Sequence, residues 1–151
     1  MAKSNVNTRN TRDGMQTVLS NVEINFVKVA TAVPSYNGGK PQFELQIATD
    51  NKRKAMQWKA VMPNLTVQED GSAKFTLKRP AFQGRPNVVD AEGMIVSEEV
   101  RKSIGNGTIA DVRISHREHK GFNYVQLEAI RINELVTFDP TEVMNDSDFD
   151  F

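Results

Sequence analysis

From Val22 to Phe138, short runs in which every second residue is apolar are separated by turn residues. Successive strand side chains point to opposite faces, so this period of two is satisfied by a half-buried β-sheet and not by helices. Val22, Ile24 and Phe26 alternate with Glu23 and Asn25, and the pattern continues through Val29 to about Val33. Asn37-Gly38-Gly39 then supplies residues that tolerate positive φ, and Phe43, Leu45 and Ile47 alternate again, which predicts a hairpin. Leu65 and Val67, Asp70-Gly71, then Phe75 and Leu77 predict a second hairpin whose strand runs from Ala73 to Arg79. Ile109–Arg117 and Phe122–Phe138 predict two more strands around a His119-Lys120-Gly121 turn, with a bulge where the phase shifts at Ala129 and Ile130.

Two stretches read as helix. Asp50 to Met62 places Ala55, Trp58 and Met62 on one face, with Asp50 as cap and Pro63 as stop. Lys52, Arg53 and Lys54 fall in its first turn, where the helix dipole disfavours cations; either the helix starts later or those charges face an anion. Ser97 to Ile104 carries Ser97 as N-cap, Glu98 and Glu99 in the first turn, Arg101 and Lys102 in the last, and Gly105 at the C-cap. Strands with a helix ahead of the last hairpin match a mainly β OB-fold, a five-stranded Greek-key barrel with one or two short helices and disordered termini. The expected domains are a flexible arm over 1–17, the barrel over 18–138 and an acidic tail over 139–151.

Composition narrows the chemistry. The chain has no cysteine, which removes disulfides, thiol nucleophiles and thiolate metal sites. No run approaches the ~20 apolar residues of a membrane span, and the N-terminus has no apolar signal core, so an intracellular location is expected. The formal net charge of zero hides an asymmetry. All 19 Lys and Arg lie before residue 139, whereas Asp139, Glu142, Asp146, Asp148 and Asp150 lie from that residue onward.

Nucleic-acid binding needs cations for phosphates and aromatic faces for bases. Both occur together in Lys74, Lys78, Arg79, Phe82 and Arg85, in Arg113, His116, Arg117, Lys120, Phe122 and Tyr124, and in Tyr36 with Lys40. These fall where an OB-fold places its binding groove. His116 and His119 flanking Glu118 make an incomplete metal site, and no metal or other cofactor is expected. Asp90, Glu92, Glu98 and Glu99 are better explained by a turn and a helix N-terminus than by a nuclease centre, so no catalytic residue is expected. The tail ends Asp146-Ser147-Asp148-Phe149-Asp150-Phe151, and Phe149 and Phe151 are unusual in an acidic tail. They predict a recognition handle for a protein partner, one that also competes with nucleic acid for the basic groove.

The chain resembles the single-stranded DNA-binding proteins of phages, above all the type found in T-seven-like podophages. The likeness rests on Val88-Val89-Asp90-Ala91-Glu92-Gly93, on the run from Asp111 to Glu134-Leu135-Val136-Thr137-Phe138, and on the acidic end Asp150-Phe151. The opening Met1-Ala2-Lys3 agrees, and the remainder matches by pattern only. The resemblance implies an OB-fold protein that coats single-stranded DNA in phage replication, recombination and repair, in the cytoplasm of the infected host cell. It implies a tail that contacts the replicative DNA polymerase and the helicase-primase, and it admits a homodimer. The family's hairpin aromatics and cations would fall near His116, Arg117, Lys120, Phe122 and Tyr124. This hairpin has His where the family has Tyr or Trp, and the tail is shorter and less acidic. An RNA-binding OB module, a virion or protein-interaction β-domain, and a nuclease are the competing readings.

Overall fold

The computed structural model describes residues 6–11, 14–34 and 39–137. Its strands are β1 (Val6–Thr11), β2 (Gly14–Pro34), β3 (Pro41–Thr49), β4 (Ala73–Pro80), β5 (Asn87–Val89), β6 (Thr108–His119) and β7 (Phe122–Glu134). Two helices interrupt them, α1 (Lys52–Val61) and α2 (Glu98–Lys102). The strand order is β4-β3-β2-β6-β7-β5, with β1 paired to β2. The five expected strands are β2, β3, β4, β6 and β7, in the connectivity of an OB-like fold. β1 and β5 are additions at the edges, β5 running parallel to β7.

Alternation delivers the core. Leu19, Val22, Ile24, Leu45, Ile47, Leu77, Val112, Ile114, Leu127 and Ile130 are buried, and α1 adds Ala55 and Trp58, followed by Met62. β2 spans both halves of the sheet by bending. It pairs with β1 and β6 first and with β3 later. Asn21 (φ 52°) and Phe26 (φ 51°) interrupt the pleat, and side-chain acceptors hold both: Asp111 takes the Asn21 N–H at 2.9 Å and Asn106 the Phe26 N–H at 2.8 Å. Phe26 therefore leaves the face of Val22 and Ile24 and is 59% exposed.

Several expectations change. Residues 6–11 and 14–17, expected within a flexible arm, form the β1–β2 hairpin. The stretch hid its pairing because β1 carries one apolar residue, Val6, and its contacts include polar ones: Thr8 and Thr17 hydroxyls meet at 2.7 Å. The cap of α1 is Asn51, not Asp50; its side chain accepts the Lys54 N–H at 3.0 Å. The helix does start at its cations, and Lys54 turns back to donate to the Asn21 carbonyl. The second predicted hairpin keeps its turn but pairs only through an isolated Val67–Ala73 bridge. Gly71 is required there, since at φ 88° a Cβ would sit 2.7 Å from that of Lys52. α2 ends on Ser103 rather than Gly105, which is buried with its N–H on the Val136 carbonyl. The β7 bulge falls at Glu128: Arg113 pairs with Ala129 and Ile114 with Leu127, leaving Glu128 over. Among the described residues no helix is long and apolar enough to cross a membrane.

Candidate nucleic-acid interface

β4 turns Ala73, Phe75 and Leu77 toward the core, so Lys74, Thr76 and Lys78 face outward. Gln42 of β3 opposes Pro80, which puts the two strands' outer faces side by side. A single 3₁₀ turn, Ala81–Gln83, then carries Phe82 outward to 83% exposure. Its neighbour Gln83 accepts from the Gln126 amide at 2.7 Å, which ties the turn to β7. The result is a hollow of about 610 Å³ lined by Lys40, Gln42, Thr76, Lys78, Phe82 and Tyr124 among others. No acidic side chain lines it, although Glu44 stands opposite Lys78 on the same pair of strands. A second hollow of about 520 Å³, reaching Met15, Val61, His116, Arg117 and Glu118, shares Phe75, Tyr124 and Val125 with it. The two form one groove with Tyr124 at its middle.

The β6–β7 hairpin forms the groove's other rim. Lys120 (φ 50°) and Gly121 (φ 83°) make the tight two-residue turn, and positive φ at both positions suits the strand twist. Phe122 is 77% exposed and Tyr124 44%. Phe122, Tyr124 and Gln126 share one face of β7, opposite His119, Arg117 and Ser115 of β6.

Beneath this rim lies a polar hub. Glu128 Oε1 accepts from the Ser115 hydroxyl at 2.5 Å, the Gln126 amide at 3.1 Å and Arg117 at 3.3 Å, and Oε2 accepts from Arg79 at 2.9 Å. Burial pushes the Glu128 carboxyl up, but the Ser115 hydroxyl and the two guanidiniums outweigh it and hold the group below its ordinary range. Arg79 also donates to the carbonyls of Gly84, Gln83 and Leu127. It thereby clamps β4 to β7, which share no ladder. Glu128 keeps the face of Gln126, two residues before it, and the bulge resets the phase beyond it so that Ile130 and Ile132 turn to the core.

The predicted residues therefore separate. Lys40, Lys78, Phe82 and Tyr124 meet in the groove, Lys74 lies on the same outward face of β4, and Lys120 and Phe122 stand at the hairpin tip. Arg79 and Arg117 belong to the Glu128 hub, and Arg117 also lines the hollow of about 520 Å³. Arg85 forms a two-pronged pair with Glu98. His116 is turned inward, with Nε2 2.6 Å from the Thr17 hydroxyl, and burial lowers its pKa. Arg113 lies in a different cleft. Tyr36 and the tail residues Asp146, Asp148, Phe149, Asp150 and Phe151 lie outside the described residues. Gln42, Phe75, Thr76 and Gln126 were not anticipated; the outward phase of β3 and β4 was the signal that marks Gln42 and Thr76. Asp90 receives the N–H groups of Glu92 and Met94, a turn role. Among the described residues no group of three or more His, Asp or Glu could hold a metal ion.

No protein-family model matches the sequence, and no curated protein matches it by sequence. Solved structures match it in fold. The single-stranded DNA-binding protein from bacteriophage Enc34 aligns with a TM-score of 0.61 at 14% identity, over 99% of this chain and 97% of that one. The same protein in complex with single-stranded DNA gives 0.60 at 14% identity, over 91% and 100%. The single-stranded DNA-binding protein gp2.5 encoded by bacteriophage T7 gives 0.54 at 18% identity, over 91% and 96%. At such identities the likeness is one of architecture: this chain has the OB-like fold of the phage single-stranded DNA-binding proteins.

Proposed function

We propose that this chain is a non-enzymatic protein that binds and coats single-stranded DNA. The observation that carries this reading is the groove, where exposed aromatics stand between lysines in a fold shared with a protein solved on single-stranded DNA. Phe82, Phe122 and Tyr124 stack on bases, each worth roughly 1–3 kcal/mol. Lys40, Lys74, Lys78 and Lys120 meet phosphates. Four neutralised phosphates give a slope of log affinity against log salt of about −3. Stacking on any base face makes sequence preference weak.

The finer reading places this activity in phage DNA replication, recombination and repair, in the host cytoplasm. The tail, with Asp146, Asp148, Phe149, Asp150 and Phe151, recruits the replicative DNA polymerase and the helicase-primase and competes with DNA for the basic body. The phage-type fold and the charge asymmetry support it.

The test is fluorescence anisotropy of a labelled thymidine oligonucleotide over a salt series, using the full chain and a chain ending at Phe138. Tight, salt-sensitive binding that strengthens on truncation supports both groove and competing tail. Binding by neither form ends the DNA reading and favours a protein-interaction domain. Preference for the matching RNA would move the assignment to RNA. For recruitment, Phe151→Ala should keep DNA affinity and lose polymerase binding; equal polymerase binding sinks that role.

A further inference from the structure

Beyond the hub, the same outward face of β6 and β7 continues. Arg113, Ser115 and Arg117 follow one another on β6, and across the bulge β7 presents Tyr124 and Gln126, then Ala129 and Arg131. The far end of this face opens into a cleft of about 480 Å³ that shares no lining residue with the groove. Three arginines line it: Arg9, Arg113 and Arg131. Register sets them on an oblique line. Arg131 stands opposite Asp111, Arg113 lies two residues further along β6, and Arg9 opposes Gln16, which opposes Ser115, two residues further again. Strand spacing then separates Arg131 from Arg113 by about 8 Å and Arg113 from Arg9 by about 12 Å.

Among the described residues, Arg9, Arg113 and Arg131 have neither an ion pair nor a side-chain hydrogen bond, unlike Arg79, Arg85, Arg101 and Arg117. The acid in the cleft, Asp111, accepts the Asn21 N–H and the Asn133 amide on its Oδ1 and pairs with no arginine among the described residues. Asn7, Asn87 and Ser20 add donors, whereas the apolar lining is small aliphatic with no aromatic. Such a surface suits a linear polyanion held by its charges. It offers no platform for a base and no deep receptacle for a Phe side chain, which disfavours the acidic-aromatic tail as occupant.

We propose that the Arg9–Arg113–Arg131 cleft is a second, backbone-only site for the DNA strand that leaves the groove. This rests on the single-stranded DNA reading and extends it. A strand passing Tyr124 and following the outer face of β7 reaches Arg131 after roughly 20 Å. There its phosphates pair with the guanidiniums, whose planar forks match them. The site lengthens the footprint and adds affinity without sequence preference.

The experiment compares an oligothymidine of about six nucleotides, which fills the groove, with one of about twelve. The variant is Arg113→Ala with Arg131→Ala, and the control is Lys52→Ala with Arg53→Ala, which removes the same charge from α1. The proposal expects the arginine variant to bind the long strand on the order of tenfold more weakly, with a salt slope shallower by about 1.4. Short-strand binding and the thermal midpoint stay unchanged, the control behaves as wild type, and Arg113→Lys with Arg131→Lys restores most of the slope. An unchanged long-strand slope, an equal loss on both lengths, or an equal loss in the control each overturns it. If the variant instead loses an acidic tail peptide while keeping long DNA, the occupant is the tail. Failure of wild type to bind even the short strand defeats the groove reading itself, a result distinct from the others.

Discussion

The groove with its β6–β7 hairpin tip and the β4–β7 seam both gather cations, yet the protein uses them oppositely. At the tip and along the groove, Lys40, Lys74, Lys78 and Lys120 are exposed, with no side-chain partner among the described residues. At the seam, Arg79 and Arg117 converge on Glu128, with side-chain exposures of 14% and 36%. Within these two regions the split follows residue type. A guanidinium is weakly hydrated and presents a preorganised fork, so it can be drawn inside among carbonyls and a carboxylate. An ammonium is strongly hydrated and stays in water until a phosphate meets it. A basic cluster in a sequence is thus two populations, one that closes the barrel and one that faces a ligand.

The sharpest way to break this contrast is Glu128→Ala. It strands Arg79 and Arg117 beside a closed seam and leaves the Ser115 hydroxyl without its acceptor. The expected cost is about 2–4 kcal/mol, below that of a fully buried pair because the hub retains some solvent. Urea unfolding reads it as a lower midpoint at constant slope. A loss under about 1 kcal/mol would mean that packing, not the hub, holds β4 to β7.

Tyr124→Ala should do the reverse. Its ring is 44% exposed at the middle of the groove. Affinity for oligothymidine should fall by about 1–3 kcal/mol, the worth of one stacked base. The unfolding midpoint should move no more than for an ordinary surface substitution, about 0.5 kcal/mol. A large stability loss with intact binding would make Tyr124 part of the fold and remove it from the interface.

These two residues also mark where the sequence is readable. Alternation exposed the five main strands, the α1 face of Ala55, Trp58 and Met62, and the hairpin turn at Lys120-Gly121. It could not show that Phe26 leaves its face, because positive φ there depends on Asn106, eighty residues away. It suggested a bulge near Ala129 but not that the extra residue is an acid aimed at arginines from two strands. Lys78 and Arg79 are adjacent and look equivalent in sequence; opposite phases of β4 send one to the groove and the other to the seam. The β1–β2 pairing was invisible because β1 offers a single apolar residue, Val6, and so no alternation to read.

The adjacent pair allows a finer test of the comparison. Lys78→Ala should make the salt slope of DNA binding shallower by about 0.7 while the unfolding midpoint holds. Arg79→Ala should lower the midpoint and leave the slope near wild type, since its fork is occupied by Glu128 and by the carbonyls of Gly84, Gln83 and Leu127. Exchange of the two outcomes would reverse the assignment of lysine to ligand and arginine to frame.

The smallest effect concerns the histidine that the hairpin keeps inside. His116 Nε2 lies 2.6 Å from the Thr17 hydroxyl, which reaches Thr8, and burial lowers the imidazole pKa. With the folded value depressed, the unfolded chain binds the proton more readily. Stability is therefore full above the unfolded value of about 6.5 and falls as pH drops through the depressed folded value, levelling off below it. Glu128, Asp70 and Glu98 have carboxyl groups held below their ordinary values, so they titrate under this window and do not obscure it. Urea midpoints between about pH 7.5 and 5 should show a modest decline that His116→Gln flattens. The loosening should appear first in β1 and the start of β2, because the Thr8–Thr17–His116 chain adds a side-chain link from β1 across β2 to β6. Amide exchange should then accelerate in residues 6–11 and 14–19 at the lower pH while β3 and β4 keep their protection. Uniform acceleration across the sheet would show instead that His116 acts on the whole barrel.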